Sequence, residues 1–280
     1  MLSSWRSSNV NILHAAVLGL IQGATEFLPV SSSGHLALTY RIFGEKPNLT
    51  FEVFLHAATL IAMLTYFRED IVRLLTALLP KNAHRKDDRR LILLIIVATG
   101  VSGAIAFAMS PYIESISDST LWVGIGFLGT AALLSLSELL SRRVTTISAP
   151  EKLHPLKAAF IGVLQGIAVL PGVSRSGSTI AASMFSGLSR EAGARFSFLL
   201  GIPLITLAAA KDGLDLLGGA KSLPGFWPSA VGFLAAGLSG YLAIAWLLSL
   251  VKRHSLNWFA AYTALLGTTL LVLNFVFARG

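Results

Sequence analysis

The 280-residue chain is 54% hydrophobic and only 13% charged, about half the charge of an ordinary soluble domain, so water is not its main solvent. Its net charge of +8 sits in clusters between apolar runs, with no single basic face interleaved with base-stacking aromatics, which argues for membrane topology and against a nucleic-acid partner. The absence of cysteine excludes disulfides, thiolate metal sites and a cysteine nucleophile.

The first apolar stretch, His14 to Tyr40, is preceded only by Arg6 and contains Gln22 and Glu26, which does not match a cleavable signal. Pro29 and a run of serines break it near its middle, so it reads as two short helices. Val53 to Phe67 is a predicted span, bounded by Arg68, whose long side chain can snorkel outward. The loop from Arg68 to Arg90 follows and contains seven Lys or Arg. Its stretch from Lys81 to Arg90 reads as a solvated topology determinant touching anionic headgroups. Leu91 to Met109 and Ser119 to Ser137 are the next spans. Ser110 to Ser119, between them, has two acids and no basic residue.

Arg142, Arg143, Lys152 and Lys157 precede a second interrupted stretch, Ala158 to Ser189, broken at Pro171. Phe196 to Ala210, a loop from Lys211 to Lys221, Ser222 to Val251, the pair Lys252 and Arg253, and Ser255 to Ala278 complete the chain. Under the positive-inside rule the basic clusters alternate consistently over six spans, with Arg68 to Arg90 inside and Ser110 to Ser119 outside. Gly232, Gly237 and Gly240 read as close helix packing.

The two broken stretches are related. Ala15-Ala16-Val-Leu-Gly19-Leu-Ile-Gln22-Gly23 aligns with Ala158-Ala159-Phe-Ile-Gly162-Val-Leu-Gln165-Gly166. With one inserted residue, Leu28-Pro29-Val30-Ser31-Ser-Ser33-Gly34 aligns with Leu170-Pro171-Gly-Val173-Ser174-Arg-Ser176-Gly177. Phe51-x-x-Phe54-Leu55 and Phe196-x-Phe198-Leu199-Leu200 continue the match weakly. The expected fold is an all-α polytopic membrane protein, a single membrane domain over 1–280. Six transmembrane helices and two re-entrant helix hairpins form an inverted-topology repeat, with halves of about 12–140 and 155–278. Irregular backbone at membrane depth needs protein or a wet cavity to satisfy it, so the hairpin tips should meet in the interior, at a site.

The chemistry-bearing residues concentrate there. Four residues separate Gln22 and Glu26, which puts both on one helix face, and Ser31, Ser32, Ser33 and His35 follow the Pro29 break. In the second half Ser174-Arg175-Ser176-Gly177-Ser178-Thr179 opens an apolar run, offering hydroxyls, N–H groups and a guanidinium at a helix N-terminus, as an anionic phosphate requires. Arg175 in mid-membrane costs roughly 2.5–3.5 kcal/mol on insertion scales unless an anion or Glu26 offsets it. The bland alternative is a structural Glu26–Arg175 pair stitching the halves, which leaves the hydroxyl cluster unexplained. His56, without a partner in the sequence, reads as a packing histidine.

Gln22-x-x-x-Glu26-Phe-Leu-Pro-Val-Ser-Ser-Ser-Gly-His35 and Pro171-Gly-x-Ser-Arg-Ser-Gly-x-Thr179 resemble the two signatures of the undecaprenyl-diphosphatase (bacitracin-resistance) family. Phe51-Glu52-Val53, Ser189-Arg-Glu-Ala and Arg195-Phe-Ser-Phe-Leu-Leu extend the likeness over nearly the whole chain. The resemblance implies six spans with two re-entrant helix pairs in a bacterial cytoplasmic (inner) membrane, and a site opening toward the periplasm. It implies removal of the terminal phosphate of undecaprenyl pyrophosphate, regenerating the monophosphate carrier for peptidoglycan and other envelope polymers. Carried onto this chain, it implies catalytic roles for Glu26, Ser32, His35 and Arg175, and phosphate contacts by Ser174, Arg175, Ser176 and Thr179; the neighbouring Ser31 and Ser33 are further candidate phosphate contacts.

The family also implies a divalent cation, Mg²⁺ or Ca²⁺, at Glu26 and Gln22. Gln22 stands where the family accepts Glu or Gln, so the first motif offers one carboxylate and substrate oxygens would supply most ligands. Ser33 stands where Thr is common, and His56 where Gln is expected. Membrane lipids are partners, and a homodimer is admitted but not selected by the sequence.

Two chemical schemes remain open. Ser32 attacks the terminal phosphate with His35 as base or orienting partner, or water attacks directly, activated at Glu26 or His35. A different function class is also open, since inverted repeats with broken helices also build secondary transporters, so the chain could move polyprenyl phosphate or another anion.

Overall fold

The computed structural model describes residues 10–116, 119–141, 146–217 and 223–277, the side chains of 114, 115, 211–217 and 277 excepted. Arg6, Arg142, Arg143, Ser222 and Ala278 lie outside the described residues, as does the end of the Lys211–Lys221 loop, 218–221. Eleven α-helices are described: α1 (Ile12–Phe27), α2 (Ser32–Phe43), α3 (Leu49–Tyr66), α4 (Arg68–Ala77), α5 (Lys86–Ile116), α6 (Thr120–Ser141), α7 (Pro155–Ile167), α8 (Arg175–Phe185), α9 (Arg190–Leu217), α10 (Phe226–Leu250) and α11 (Asn257–Phe277). No strand occurs among the described residues, only an isolated bridge between Ile147 and Leu188.

Six of these helices, α3, α5, α6, α9, α10 and α11, are long and apolar enough to cross a bilayer, while α1 and α7 are shorter apolar helices. The chain is therefore an all-α, multi-pass membrane protein. Several boundaries differ from expectation: α5 runs past Met109 to Ile116, and α9 starts at Arg190. The basic loop after the first span is partly ordered: α4 occupies its first half, and α5 already starts at Lys86, because Asp87 and Asp88 favour a helix N-terminus. Arg89 and Arg90 are tied to the carbonyls of Ala77 and Leu153 and are not simply solvated. The expected loop from Lys211 is helical through Leu217.

Local chemistry sets the breaks in the short helices. The N-cap of α1 is Asn11, which accepts from the His14 N–H at 2.8 Å, and the helix stops at Leu28 because the residue before Pro29 disfavours helical geometry. The C-terminus of α2 is closed by Gly44 at φ +67°, donating to the Arg41 and Tyr40 carbonyls. Ser31 and Ser174, aligned in the repeat, cap α2 and α8 in the same way. Each Oγ accepts from the glycine N–H three residues on, Gly34 at 3.3 Å and Gly177 at 3.0 Å.

Small residues bring the short helices against the spans. A Cβ on Gly19 of α1 would lie 2.2 Å from the Gly232 carbonyl of α10, and one on Gly162 of α7 would lie 2.4 Å from the Ala98 carbonyl of α5. Gly23 and Gly166, one turn on, lie close against α10 and α5 as well, with nearest approaches to an added Cβ of 2.0 and 2.7 Å. Gly232 and Gly240 thus serve helix packing as expected, through Phe51, Ala15 and Phe27.

Both hairpin turns come to rest on α6. Phe127 fills the space beside Gly34, and Gly126 and Val123 meet the backbone of Pro171 and Gly172. At the other end of α6 the buried Glu138 accepts from Arg190 Nε at 2.7 Å and Nη2 at 2.5 Å, and from the Leu256 N–H at 2.8 Å. This ties α6, α9 and the start of α11 together.

Candidate active site

The turn after α1 and the first turn of α8 touch directly, since Ser176 Oγ donates to the Leu28 carbonyl at 2.9 Å. Around this junction the structure gathers the residues singled out by the two motifs. At the centre is Glu26, 7% exposed. Its Oε1 accepts from Arg175 Nη2 at 2.5 Å. Its Oε2 accepts from Ser32 Oγ at 2.7 Å and Gln22 Nε2 at 3.0 Å, and lies 3.4 Å from His56 Nε2. Ser32 and Arg175 occupy equivalent places in the repeat, the first helical position after the capping serine. A hydroxyl from one hairpin and a guanidinium from the other therefore converge on the two oxygens of one carboxylate. The second half has no carboxylate in the matching turn, Ile167-Ala168-Val169.

Two polar atoms at this centre are buried without a protein partner, Arg175 Nη1 and Gln22 Oε1. Gly201, midway along α9, makes room for the guanidinium: a Cβ there would lie 2.2 Å from Arg175 Nη1. Arg175 thus spends one arm on Glu26 and keeps a second donor available for an anion. Ser31 stands at φ +69°, the one non-glycine residue at positive φ among those described. Such geometry costs roughly 1–3 kcal/mol and concentrates at functional sites. Ser33, exposed, lines a cavity of about 640 Å³ that also touches Arg41, Lys46, Thr120, Val123 and Pro171.

Of the remaining motif hydroxyls, those of Ser174, Ser176 and Thr179 are committed within the protein, while Ser178 Oγ is buried without a protein partner. Ser174 Oγ caps α8 and lies 3.2 Å from Ser176 Oγ, as Ser31 Oγ lies 3.3 Å from Ser33 Oγ. Thr179 Oγ1 bonds the carbonyls of Arg175 and Ser176 and meets Ser197 Oγ at 2.5 Å. The Ser174 N–H donates to Thr130 Oγ1 of α6 at 2.9 Å. These bonds fix the helix start that carries Arg175.

Two expectations are corrected. His35 is not bonded to Ser32: its Nδ1 lies 2.7 Å from the Ser31 carbonyl and its Nε2 2.7 Å from Tyr262 Oη. With both nitrogens engaged, and the Ser32 hydroxyl drawn to Glu26, no Ser32–His35 pair forms. His56 is not a mere packing residue, since it sits midway along α3 with Nδ1 on the Glu52 carbonyl at 2.8 Å and Nε2 toward Glu26. Sequence spacing could not show this, because α3 meets α1 only through tertiary packing. Tyr262, Gly201 and Thr130 were likewise missed; the one available signal was the place of Gly201 six residues after Arg195 in an apolar span.

As a cation site, the centre offers one carboxylate, already shared by Arg175, and the free Gln22 Oε1. No group of three or more His, Cys, Asp or Glu that could hold a metal ion converges among the described residues. A hard divalent ion wants six or more oxygens, so these residues fit one that draws most of its ligands from a bound phosphate.

The description "Bacitracin resistance protein BacA" belongs to a family model that matches residues 15–269. Among curated proteins, one from Carboxydothermus hydrogenoformans is 41% identical over 268 residues, covering 95% of this chain and 98% of its own length. Others from Methanosphaera stadtmanae and Korarchaeum cryptofilum are 38% and 34% identical, covering 95% and 94% of this chain and 99% and 100% of their own. All three are named undecaprenyl-diphosphatase. With the family's two signatures meeting at one buried carboxylate and the match running nearly end to end, the chain belongs to the BacA bacitracin-resistance family.

Proposed function

We propose that this protein hydrolyses undecaprenyl pyrophosphate to undecaprenyl phosphate and inorganic phosphate. The observation that carries the reading is the Ser32–Glu26–Arg175 cluster, in which a hydroxyl, a carboxylate and a guanidinium with one unpaired donor meet where two hairpins touch. Phosphoryl transfer asks the protein chiefly to position and neutralise charged oxygens. Arg175 Nη1 binds the terminal phosphate, and the exposed Ser33 and the α2 N-terminus contribute further donors. A buried ion pair does not by itself stabilise a fold, so its retention beside unpaired polar atoms supports a binding role over a stitching one.

Ser32 Oγ attacks the terminal phosphorus while its proton passes to Glu26. The anhydride P–O bond breaks and the polyprenyl monophosphate leaves. Water then attacks the phosphoserine phosphorus, with His35 Nε2 accepting its proton; the Ser32 Oγ–P bond breaks, Glu26 returns its proton to Oγ, and inorganic phosphate leaves. His56 orients Glu26. Mg²⁺ or Ca²⁺, when bound at Glu26 and Gln22 Oε1, would neutralise phosphate charge. The repeat and the charge alternation support a re-entrant, inverted arrangement with the site open to the periplasmic side of a bacterial inner membrane. There the released carrier re-enters envelope polymer synthesis and bacitracin resistance follows from pyrophosphate removal.

The test is phosphate release from a polyprenyl pyrophosphate by the detergent-purified protein, with and without divalent cation. Release by wild type and its loss in Arg175→Ala and Glu26→Gln are expected. Folded wild type that releases none under any cation overturns the reading.

A further inference from the structure

Tyr262 lies in the C-terminal helix, far in sequence from both motifs, yet its hydroxyl is 2.7 Å from His35 Nε2. The two rings stack at 5.7 Å between centroids and 17° between planes, and Phe127 closes edge-on at 5.4 Å. On the other side His35 Nδ1 meets the carbonyl of the strained Ser31 at 2.7 Å. A carbonyl only accepts, so Nδ1 carries the proton, Nε2 presents its lone pair, and the phenol donates to it. The imidazole is thus clamped in tautomer and in plane by α2, α6 and α11.

From this geometry we infer that Tyr262 is a positioning residue for the hydrolytic reaction: it holds His35 in the tautomer whose Nε2 is the base. The inference rests on the hydrolase reading for its kinetic consequence, but the clamp itself is a matter of contact. Tyr262 is half-exposed, so its hydroxyl can yield its place at Nε2 to the attacking water without a buried group being stranded.

The test is Tyr262→Phe, which keeps the ring and its stacking and removes one hydrogen bond. We expect kcat to fall roughly three- to tenfold, the worth of one such bond, with KM within about twofold, as for an interaction acting in the reaction step. In a His35→Asn background the same change should add no loss. Acylation of His35 by diethyl pyrocarbonate, read by mass spectrometry of its peptide, should be slow in wild type and faster in Tyr262→Phe. Wild-type kcat in Tyr262→Phe, or an equal loss in both backgrounds, overturns the inference. If wild type releases no phosphate, the hydrolase reading fails, and the acylation rates still decide the clamp: equal rates in the two proteins refute it.

Discussion

Gly201→Ala is the substitution that separates the site from the fold most cleanly. The added methyl would lie 2.2 Å from Arg175 Nη1 and 3.1 Å from its Cζ. Ordinary contact begins near 3.4 Å, so the guanidinium must retreat by about 1 Å. It is the free end of a flexible side chain, so the fold absorbs the shift, and replacing Gly by Ala within a helix gains roughly 0.5–1 kcal/mol in propensity. The Arg175 Nη2 to Glu26 Oε1 bond of 2.5 Å cannot survive that retreat unchanged, and a misplacement of about 1 Å costs on the order of 100-fold in rate. Phosphate release from a polyprenyl pyrophosphate, together with Tm in detergent, reads both effects. Gly129→Ala, where nothing lies within 4 Å of the added carbon, is the control and should leave turnover unchanged. A Gly201→Ala protein with kcat/KM within about threefold of wild type would refute the placement of Arg175 at the phosphate.

Other outcomes follow from the same geometry. Ser32→Ala should abolish turnover, whereas a near-normal rate would replace the covalent step by direct attack of water; trapping of a phosphoserine at Ser32 checks the same point. Arg175→Lys should recover only part of the activity lost in Arg175→Ala, because a point charge cannot hold Glu26 and a phosphate with one planar fork. His56→Gln preserves a donor toward Glu26 and should keep turnover within about tenfold, while His56→Leu should lose more; equal losses would leave His56 no role at the carboxylate. Arg190→Met strands Glu138, whose side chain is 2% exposed, and should lower Tm without changing KM in the surviving folded protein. The stranded buried charge costs up to roughly 3–5 kcal/mol, less here because Arg190 is itself a third exposed.

Much of this molecule is legible in one dimension because a bilayer imposes a one-dimensional rule: a span needs about 20 apolar residues, and its backbone must satisfy itself. All six spans, the breaks at Pro29 and Pro171, and the equivalence of the two interrupted stretches could be read from local patterns. So could the joint placement of Gln22 and Glu26, which depends only on helical spacing. What spacing cannot supply is which face of one helix meets which face of another. His35 and Ser32 are three residues apart and looked like partners, yet Ser31 and Tyr262 take both imidazole nitrogens. His56 looked like packing until α3 brought it to Glu26. Ser174, Ser176 and Thr179 resembled a phosphate cradle, and tertiary packing turned their hydroxyls toward the cap, Leu28 and Ser197. The sequence by itself determined the class of the protein, its membrane elements and the polar groups that gather at the junction of the two hairpins. Only the tertiary structure decided their pairing, because hydrogen-bond partners more than one helix turn apart are chosen by how helices pack and not by the order of residues along the chain.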